Sequence, residues 1–169
     1  MKTRQPLILA AKIPDRDLEP FDVLRKAHFP PDRNVLRAHL TMFHRLPGEY
    51  VARIIDRLAK VAALQKPFEA QVTGLRHLGG GVAFTIASPQ LHAIHAQLRS
   101  DFVSWLGGQD MQKWQPHITV QNKVSKPVAD ELHGRLVADF RPHSIETAGL
   151  DLWRYMDGPW EHEASFEFD

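Results

Sequence analysis

The sequence contains no cysteine, and this absence removes several chemistries at once. Without thiols the chain forms no disulfide bond, offers no thiolate to a metal ion and has no cysteine nucleophile. The sequence also has no excess of one charge: 21 lysine and arginine residues stand against 20 aspartate and glutamate residues, so the formal net charge is +1. No strong global field therefore attracts nucleic acid. A nucleic-acid partner must be small or be held by local contacts.

Long hydrophobic runs are absent as well. No stretch approaches the roughly 18 apolar residues of a membrane span. The first apolar run, Leu7 to Ala11, is followed at once by Lys12 and Pro14, which is too early for a secretory signal. We therefore expect a cytoplasmic protein. The 169 residues, of which 43% are hydrophobic and 24% charged, suit one domain over residues 1–169, and we expect it to be a monomer.

The main functional signal is a four-residue pattern that occurs twice. The copies are His39-Leu40-Thr41-Met42 and His117-Ile118-Thr119-Val120, which start 78 positions apart in β-favouring runs. Successive side chains of a strand point to opposite faces, so each histidine shares a face with its threonine while the apolar residues point the other way. Two such strands form one symmetric polar site if the fold brings them together.

The order of predicted elements repeats around the two motifs. Hydrophobic periodicity predicts seven strands, over residues 7–13, 35–43, 68–73, 82–87, 115–121, 145–155 and 160–168. Four helices are predicted, over residues 18–29, between Pro47 and Pro67, from Ser88 to Gly107, and from Ser125 to just before Pro142. The three glycines at 79–81 join two strands without the Lys-Ser/Thr of a phosphate loop, which indicates a hairpin turn. The fold class is therefore α+β with an internal duplication.

Two imidazoles that face one another form a general acid/base pair, because an unperturbed histidine pKa near ~6.5 allows one ring to be neutral and the other protonated. Neither threonine has a recognisable activating partner, so their hydroxyls are better suited to hydrogen-bond an anion. A phosphodiester fits between the rings: one histidine activates water or a hydroxyl, and the other protonates the leaving oxygen. This chemistry requires no metal ion and no cofactor.

The two motifs, and the element order around them, resemble the 2H phosphoesterases, which include 2′-5′ RNA ligase-like proteins and cyclic phosphodiesterases. The resemblance implies a bilobed, pseudo-twofold fold in which two antiparallel sheets flank a central cleft and the helices lie outside. It implies metal-independent chemistry on 2′,3′-cyclic phosphates or 2′-5′ linkages in a small nucleotide or RNA terminus, in the direction of hydrolysis or of ligation. His39, Thr41, His117 and Thr119 are the implied catalytic residues. By analogy with cyclic phosphodiesterases, His117 is the base and His39 the acid.

Other features leave alternatives open. Some RNA ligase-like members carry an arginine just after the second motif, where this chain offers Lys123 as a substitute charge. A nucleotide-binding protein without turnover is a second hypothesis, and a metal-dependent hydrolase that uses His92 and His95, three apart on a helix, is a third. Further candidates are a cleft-rim histidine, base-stacking aromatics and a cleft arginine: His44, Trp114, Trp153, Tyr155 and Arg154.

Overall fold

The computed structural model describes residues 5–169, so the first four residues of the predicted domain lie outside it. The described chain forms eight strands: β1 Leu7–Lys12, β2 Thr41–Leu46, β3 Phe68–His77, β4 Val82–Ala87, β5 His117–Gln121, β6 His143–Thr147, β7 Gly149–Tyr155 and β8 Trp160–Glu167. Its α-helices are α1 Asp15–His28, α2 Val51–Ala63, α3 Pro89–Phe102, the one-turn α4 Gly108–Met111 and α5 Lys126–Asp139. Short 3₁₀ turns at Gly48–Tyr50 and Val103–Trp105 precede α2 and follow α3.

The strands form two four-stranded sheets in which every pairing is antiparallel. Sheet A has the order β2-β1-β7-β8 and sheet B the order β5-β4-β3-β6. Each motif-bearing strand, β2 or β5, is therefore one of the two edge strands of its sheet. This pseudo-twofold α+β arrangement of two antiparallel sheets confirms the predicted fold class.

The predicted single strand over residues 145–155 is wrong, because the chain changes sheets within it. β6 pairs with β3 in sheet B, whereas β7 pairs with β1 in sheet A. The crossing occurs at Ala148, whose N–H donates to the Lys12 carbonyl oxygen at 2.8 Å. Gly149 follows because a Cβ at this position would lie 2.3 Å from the Phe166 carbonyl oxygen. Hydrophobic alternation continues through the crossing, so periodicity alone does not reveal it.

The first motif also begins earlier than its strand. The prediction placed His39 inside a strand over residues 35–43, but β2 starts at Thr41 and residues 37–40 have no regular secondary structure. The second histidine, His117, is the first residue of β5. Each histidine therefore lies at or just before the start of an edge strand, where its ring is not confined by a neighbouring strand on both sides.

The helices attach the two halves of the chain to each other. Helix α1, which follows β1 of sheet A, packs on β5 of sheet B, and α5 packs on β3. Helix α2 packs on β7 and β8, while α3 contacts β2 through the ring of His95 on Phe43. The predicted cap of α3 is confirmed, because the Ser88 hydroxyl accepts a hydrogen bond from the Leu91 N–H at 3.1 Å. None of the helices among residues 5–169 is long and apolar enough to cross a membrane.

Candidate active site

A central cleft of about 610 Å³ lies between the two motif strands and is lined by residues of both sheets. The structure brings all four predicted site residues into it: His39, Thr41, His117 and Thr119. Neither threonine hydroxyl forms a hydrogen bond to another described residue, so both remain available to a ligand. The sequence motif thus predicted which residues meet, and their catalytic roles are taken up below as a proposal.

The two histidine rings are held in the same way. Nδ1 of His39 lies 2.7 Å from the carbonyl oxygen of Arg37, and Nδ1 of His117 lies 2.8 Å from that of Gln115. A carbonyl oxygen only accepts hydrogen bonds, so each Nδ1 carries the proton when its ring is neutral. Each Nε2 is then the unprotonated nitrogen, and it has no hydrogen-bond partner in residues 5–169. The site presents two matched nitrogens, each able to take or give one proton.

The surroundings of both rings favour their neutral forms in the free protein. The pKa of His39 is lowered to about 4, chiefly by burial. The hydrogen bond to Arg37 opposes the shift, and the nearby Arg25 and His117 add to it. Burial also lowers the pKa of His117, with smaller contributions in the same direction from Arg76 and His44. An anion bound between the rings favours their charged forms and so raises both pKa values.

Aromatic rings support the first histidine and the wall beside it. The ring of Trp160 lies 4.6 Å from that of His39, centroid to centroid. Trp114 donates from Nε1 to the Thr41 carbonyl oxygen at 3.1 Å and stacks on His95 at 4.2 Å with 3° between the planes. Trp114 therefore lies in the cleft, as one of the sequence alternatives proposed. Trp160 was not among the predicted site residues, because its strand begins there and no alternation precedes it.

The metal-site hypothesis for His92 and His95 does not fit the geometry of this pair. His95 is buried between Phe43 and Trp114, and its Nε2 lies 3.2 Å from the Met42 carbonyl oxygen. His92 contacts the edge of Trp114 instead. No group of three or more histidine, aspartate or glutamate side chains suited to a metal ion occurs in the part of the chain that the structure describes.

A buried carboxylate fixes the end of β2 at the cleft rim. Asp110, on the short helix α4, accepts hydrogen bonds from the N–H groups of His44 and Arg45 and from Nδ1 of His44 at 3.0 Å. Burial alone raises the pKa of Asp110, but the hydrogen bonds from His44 and Arg45 outweigh it and the pKa is lowered. His44 therefore lines the cleft, and Asp110 orients it. A one-turn helix has no periodic signal, so the sequence did not identify Asp110.

Helix α1 holds both motifs through two buried charged residues. Arg25 donates from Nε to Asn34 Oδ1 and to the Leu36 carbonyl oxygen, and from Nη1 to the Thr119 carbonyl oxygen at 3.1 Å. Asp22 accepts from the N–H of Ala38, the residue before His39, at 3.0 Å. The two side chains thus fix the segment that carries His39 against the strand that carries Thr119.

Two cations line the cleft without a protein partner. Arg76 of β3 and Lys113, after α4, form no ion pair with any described residue. Across sheet B, Thr119 of β5 pairs with Ala83 of β4, and Ala83 pairs with Arg76. The small side chain of Ala83 leaves the Arg76 guanidinium access to the site. Lys123, the predicted substitute charge, does not line the cleft.

A β-bulge explains why Arg76 was not predicted. Strict alternation from the buried Val72 places Arg76 on the apolar face of β3. The register shifts between Val72 and Gly74, and the hydroxyl of Thr73 lies 2.7 Å from that of Thr85, which pairs with Gly74. The extra residue reverses the alternation and moves Arg76 to the cleft face.

The remaining sequence candidates lie outside the central cleft. Trp153 lines a neighbouring cavity described below, and Tyr155 lines neither cavity. Arg154 was predicted to face the cleft, but it forms an ion pair with Glu163 of β8 at 3.1 Å and lines neither cavity. Trp153 and Arg154 are neighbours on β7, so their side chains point to opposite faces.

The fold and site together define an α+β protein with two antiparallel sheets and a cleft that holds two matched histidines. The chain belongs to the 2′-5′ RNA ligase superfamily, whose family model matches residues 13–159. The resemblance to the 2H phosphoesterases is thereby confirmed. A search among curated protein sequences gave no match.

Solved structures with the same fold are distant in sequence. The structure of TT0787 from Thermus thermophilus superposes with a TM-score of 0.70 at 17% identity, over 96% of this chain and 97% of that one. E. coli LigT in complex with 3′-AMP gives a TM-score of 0.64 at 18% identity, over 97% of this chain and 98% of that one. A structure described as a phosphoesterase gives 0.65 at 18% identity, over 97% of this chain and 98% of that one. At these identities the likeness shows a shared fold.

Proposed function

We propose that this chain is a metal-independent phosphoesterase that acts on a 2′,3′-cyclic phosphate or a 2′-5′ phosphodiester of RNA or a nucleotide. His39 and His117 are its general acid/base pair, and Thr41 and Thr119 bind the phosphate. The observation that carries the proposal is the matched pair of Nε2 atoms in one cleft, with each ring fixed by a carbonyl oxygen two residues earlier.

The proposed reaction on a cyclic phosphate is hydrolysis with one proton taken up and one proton released by the histidine pair. His117 takes a proton from water through Nε2, and the water oxygen bonds to phosphorus. The bond from phosphorus to one ribose oxygen breaks, and that oxygen receives a proton from His39. The pKa of His39 is lowered to about 4, chiefly by burial, so its protonated ring is a stronger acid than an ordinary imidazolium. The anionic substrate supports this protonation, because a nearby negative charge raises the histidine pKa.

The negative charge of the phosphate meets several donors in the cleft. The hydroxyls of Thr41 and Thr119 are free to donate to non-bridging oxygens, and Arg76 and Lys113 supply positive charge. Donors held in place before the reaction stabilise charge that develops in the transition state. Structures of E. coli LigT with 3′-AMP, ATP, NADP+ and phosphate, which share this fold, support a phosphate-containing ligand here.

The proposal is tested by turnover of the four 2′,3′-cyclic nucleotides in EDTA, with the product identified by phosphorus NMR. The purified chain is compared with His39→Ala and His117→Ala. We expect turnover in EDTA and a loss of at least about 10²-fold in each variant, the lower end of what general acid/base catalysis contributes. Nucleotide binding without turnover supports instead a binding protein with the same cleft. Turnover that survives both substitutions contradicts the proposed site, and loss of turnover on adding EDTA contradicts metal independence.

A further inference from the structure

A second cavity, of about 440 Å³, lies beside the central cleft on sheet A. His39 and Trp160 line both spaces, so the second one, here called the side cavity, adjoins the proposed catalytic histidine. Its other walls come from β1, β7 and β8 and from residues 35–38. A group that extends from a phosphate in the central cleft past His39 therefore enters the side cavity.

Aromatic rings form one wall of the side cavity. Trp153 and Trp160 lie 6.3 Å apart, centroid to centroid, and the ring of His162 meets Trp153 edge-on at 5.0 Å. The lining also includes aliphatic side chains, among them Leu18 and the exposed Val35. Flat indole faces beside aliphatic groups suit a planar, weakly polar ring such as a nucleobase.

The side cavity also offers one directed hydrogen-bond acceptor. Ser165 donates from Oγ to Oδ1 of Asp151, and Nε2 of His162 lies 2.8 Å from the same Oγ. These contacts hold the Asp151 carboxylate in place. Its second oxygen, Oδ2, has no hydrogen-bond partner within residues 5–169, so it accepts from a ligand N–H or O–H group. Exocyclic amines of bases and ribose hydroxyls are such donors.

The charges of the side cavity argue against a phosphate group there. Lys12 is paired with Glu167, and Arg37 with Asp15 at 3.3 Å and with Asp22 at 3.8 Å. Each cation is thus already compensated, whereas Arg76 and Lys113 of the central cleft are not. The phosphate therefore belongs in the central cleft, and a neutral group belongs in the side cavity.

We propose that the side cavity binds a second nucleoside, joined through a linear phosphodiester to the nucleotide in the central cleft. This inference rests on the proposed function for the position of the phosphate. It names the substrate class as a dinucleotide or the end of an oligonucleotide, since a cyclic mononucleotide has only one nucleoside. Trp153 stacks on the base of the second nucleoside, and Asp151 accepts a hydrogen bond from it.

Two ligands of equal charge test the inference: a 2′-5′-linked diadenosine monophosphate and the methyl ester of adenosine 2′-phosphate. Both are singly charged diesters, and only the first carries a second nucleoside. Calorimetry is carried out on His117→Ala, because His117 does not line the side cavity and its loss should prevent turnover of either diester. The dissociation constants are therefore independent of whether the proposed chemistry is correct. We expect the dinucleotide to bind about tenfold more tightly, within the range that stacking of one base contributes.

Variants assign that advantage to the side cavity. Trp153→Ala should abolish the tighter binding of the dinucleotide, and Asp151→Asn should reduce it. Trp153→Phe keeps an aromatic ring and should retain most of the difference in affinity. Tyr155→Ala, on the same strand but outside both cavities, is the matched control and should leave it unchanged. Methyl ester binding reports whether each variant is folded; if Trp153→Ala fails this check, Asp151→Asn decides. Each variant is made in the His117→Ala chain. Equal affinity of the two ligands for His117→Ala alone, or an advantage that persists after Trp153→Ala and Asp151→Asn, overturns the inference.

Discussion

The guanidinium of Arg25 donates to the carbonyl oxygen of Thr119, and the two residues are 94 positions apart in the chain. The same side chain also donates to the Leu36 carbonyl oxygen, three residues before His39. One buried cation on α1 therefore connects the segment of the first histidine to the strand of the second. Arg25 contacts the backbone of both motif segments, so we regard it as a positioning residue.

Replacing Arg25 with methionine should impair both turnover and stability. The change removes the donor to the partly buried carbonyl oxygens of Leu36 and Thr119, at a combined cost of about 2 kcal/mol. We expect a lower kcat with a smaller change in KM, because the histidines lose their relative position. The free energy of unfolding, from urea titration, should fall by about 2 kcal/mol or more.

Arg16→Met is the matched control, since Arg16 lies on the same helix but is exposed and, within residues 5–169, forms an ion pair with Glu146 alone. Arg16→Met should change neither kcat nor the free energy of unfolding appreciably. A kcat that is normal in Arg25→Met, in protein shown to be folded, contradicts the positioning role.

Substitutions at Thr41 and Thr119 should distinguish the contribution of each hydroxyl to catalysis from the contribution of side-chain shape. Thr119→Val and Thr41→Val remove a hydroxyl and keep the volume, so each should lower kcat by about 10²–10³-fold if that hydroxyl stabilises the transition state. Thr→Ser at the same positions keeps the hydroxyl and should retain most activity. Steady-state kinetics on one cyclic nucleotide distinguishes the two, and equal activity in the valine and serine variants excludes a role for the hydroxyl.

The pH dependence of kcat/KM follows from the two lowered histidine pKa values. In the proposed mechanism the active form carries one proton on the histidine pair. In the free protein both pKa values are lowered from the ordinary 6.5, that of His39 to about 4. Above both values the singly protonated fraction falls tenfold per pH unit. We therefore expect kcat/KM to be maximal between about pH 4 and 6.5 and to fall with a slope of −1 above that range. A profile that is flat or rising from pH 6.5 to 8.5 contradicts this assignment.

Asp110 should make stability depend on pH. Its pKa is lowered in the folded chain, so the stabilisation is fully present above the unfolded pKa of about 3.9 and is lost as the pH falls through the folded value. Asp110→Asn should therefore lower the free energy of unfolding by about 1–3 kcal/mol at pH 7, and the difference should shrink below about pH 4. Denaturant titrations at several pH values measure this difference in the free energy of unfolding. Asp139→Asn, at an exposed carboxylate, is the control. A difference that is constant with pH is the contrary result.

Much of this fold was predictable because its signals are local. The apolar stripe of α2, the Ser88 cap of α3 and the glycine turn after β3 each depend on residues close together in sequence. The element order and the two motifs then indicated the pseudo-twofold fold. What failed depends on long-range contacts: the change of sheet at Ala148 is set by pairing with strands far away in the chain.

The residues of the cleft also fall into two groups: those that a local sequence pattern predicted and those that only the folded structure reveals. Histidine and threonine at a spacing of two form a local motif, and that motif predicted that His39, Thr41, His117 and Thr119 share one polar site. Other contributors reach the cleft by routes that no local pattern records. Arg76 arrives through a bulge, Asp110 through a one-turn helix, and Trp160 as the first residue of its strand.

The most direct test of the central claim compares single-turnover rates for His39→Ala, His117→Ala and the double variant on one 2′,3′-cyclic nucleotide. His133→Ala, on α5 away from the cleft, controls for loss of any histidine. If the two rings act as one acid/base pair, each single variant loses at least about 10²-fold and the double variant loses little more than the more damaging single one, because residues that act as a unit are not additive. Losses that multiply in the double variant, or a single variant that turns over like the unaltered chain, contradict the account.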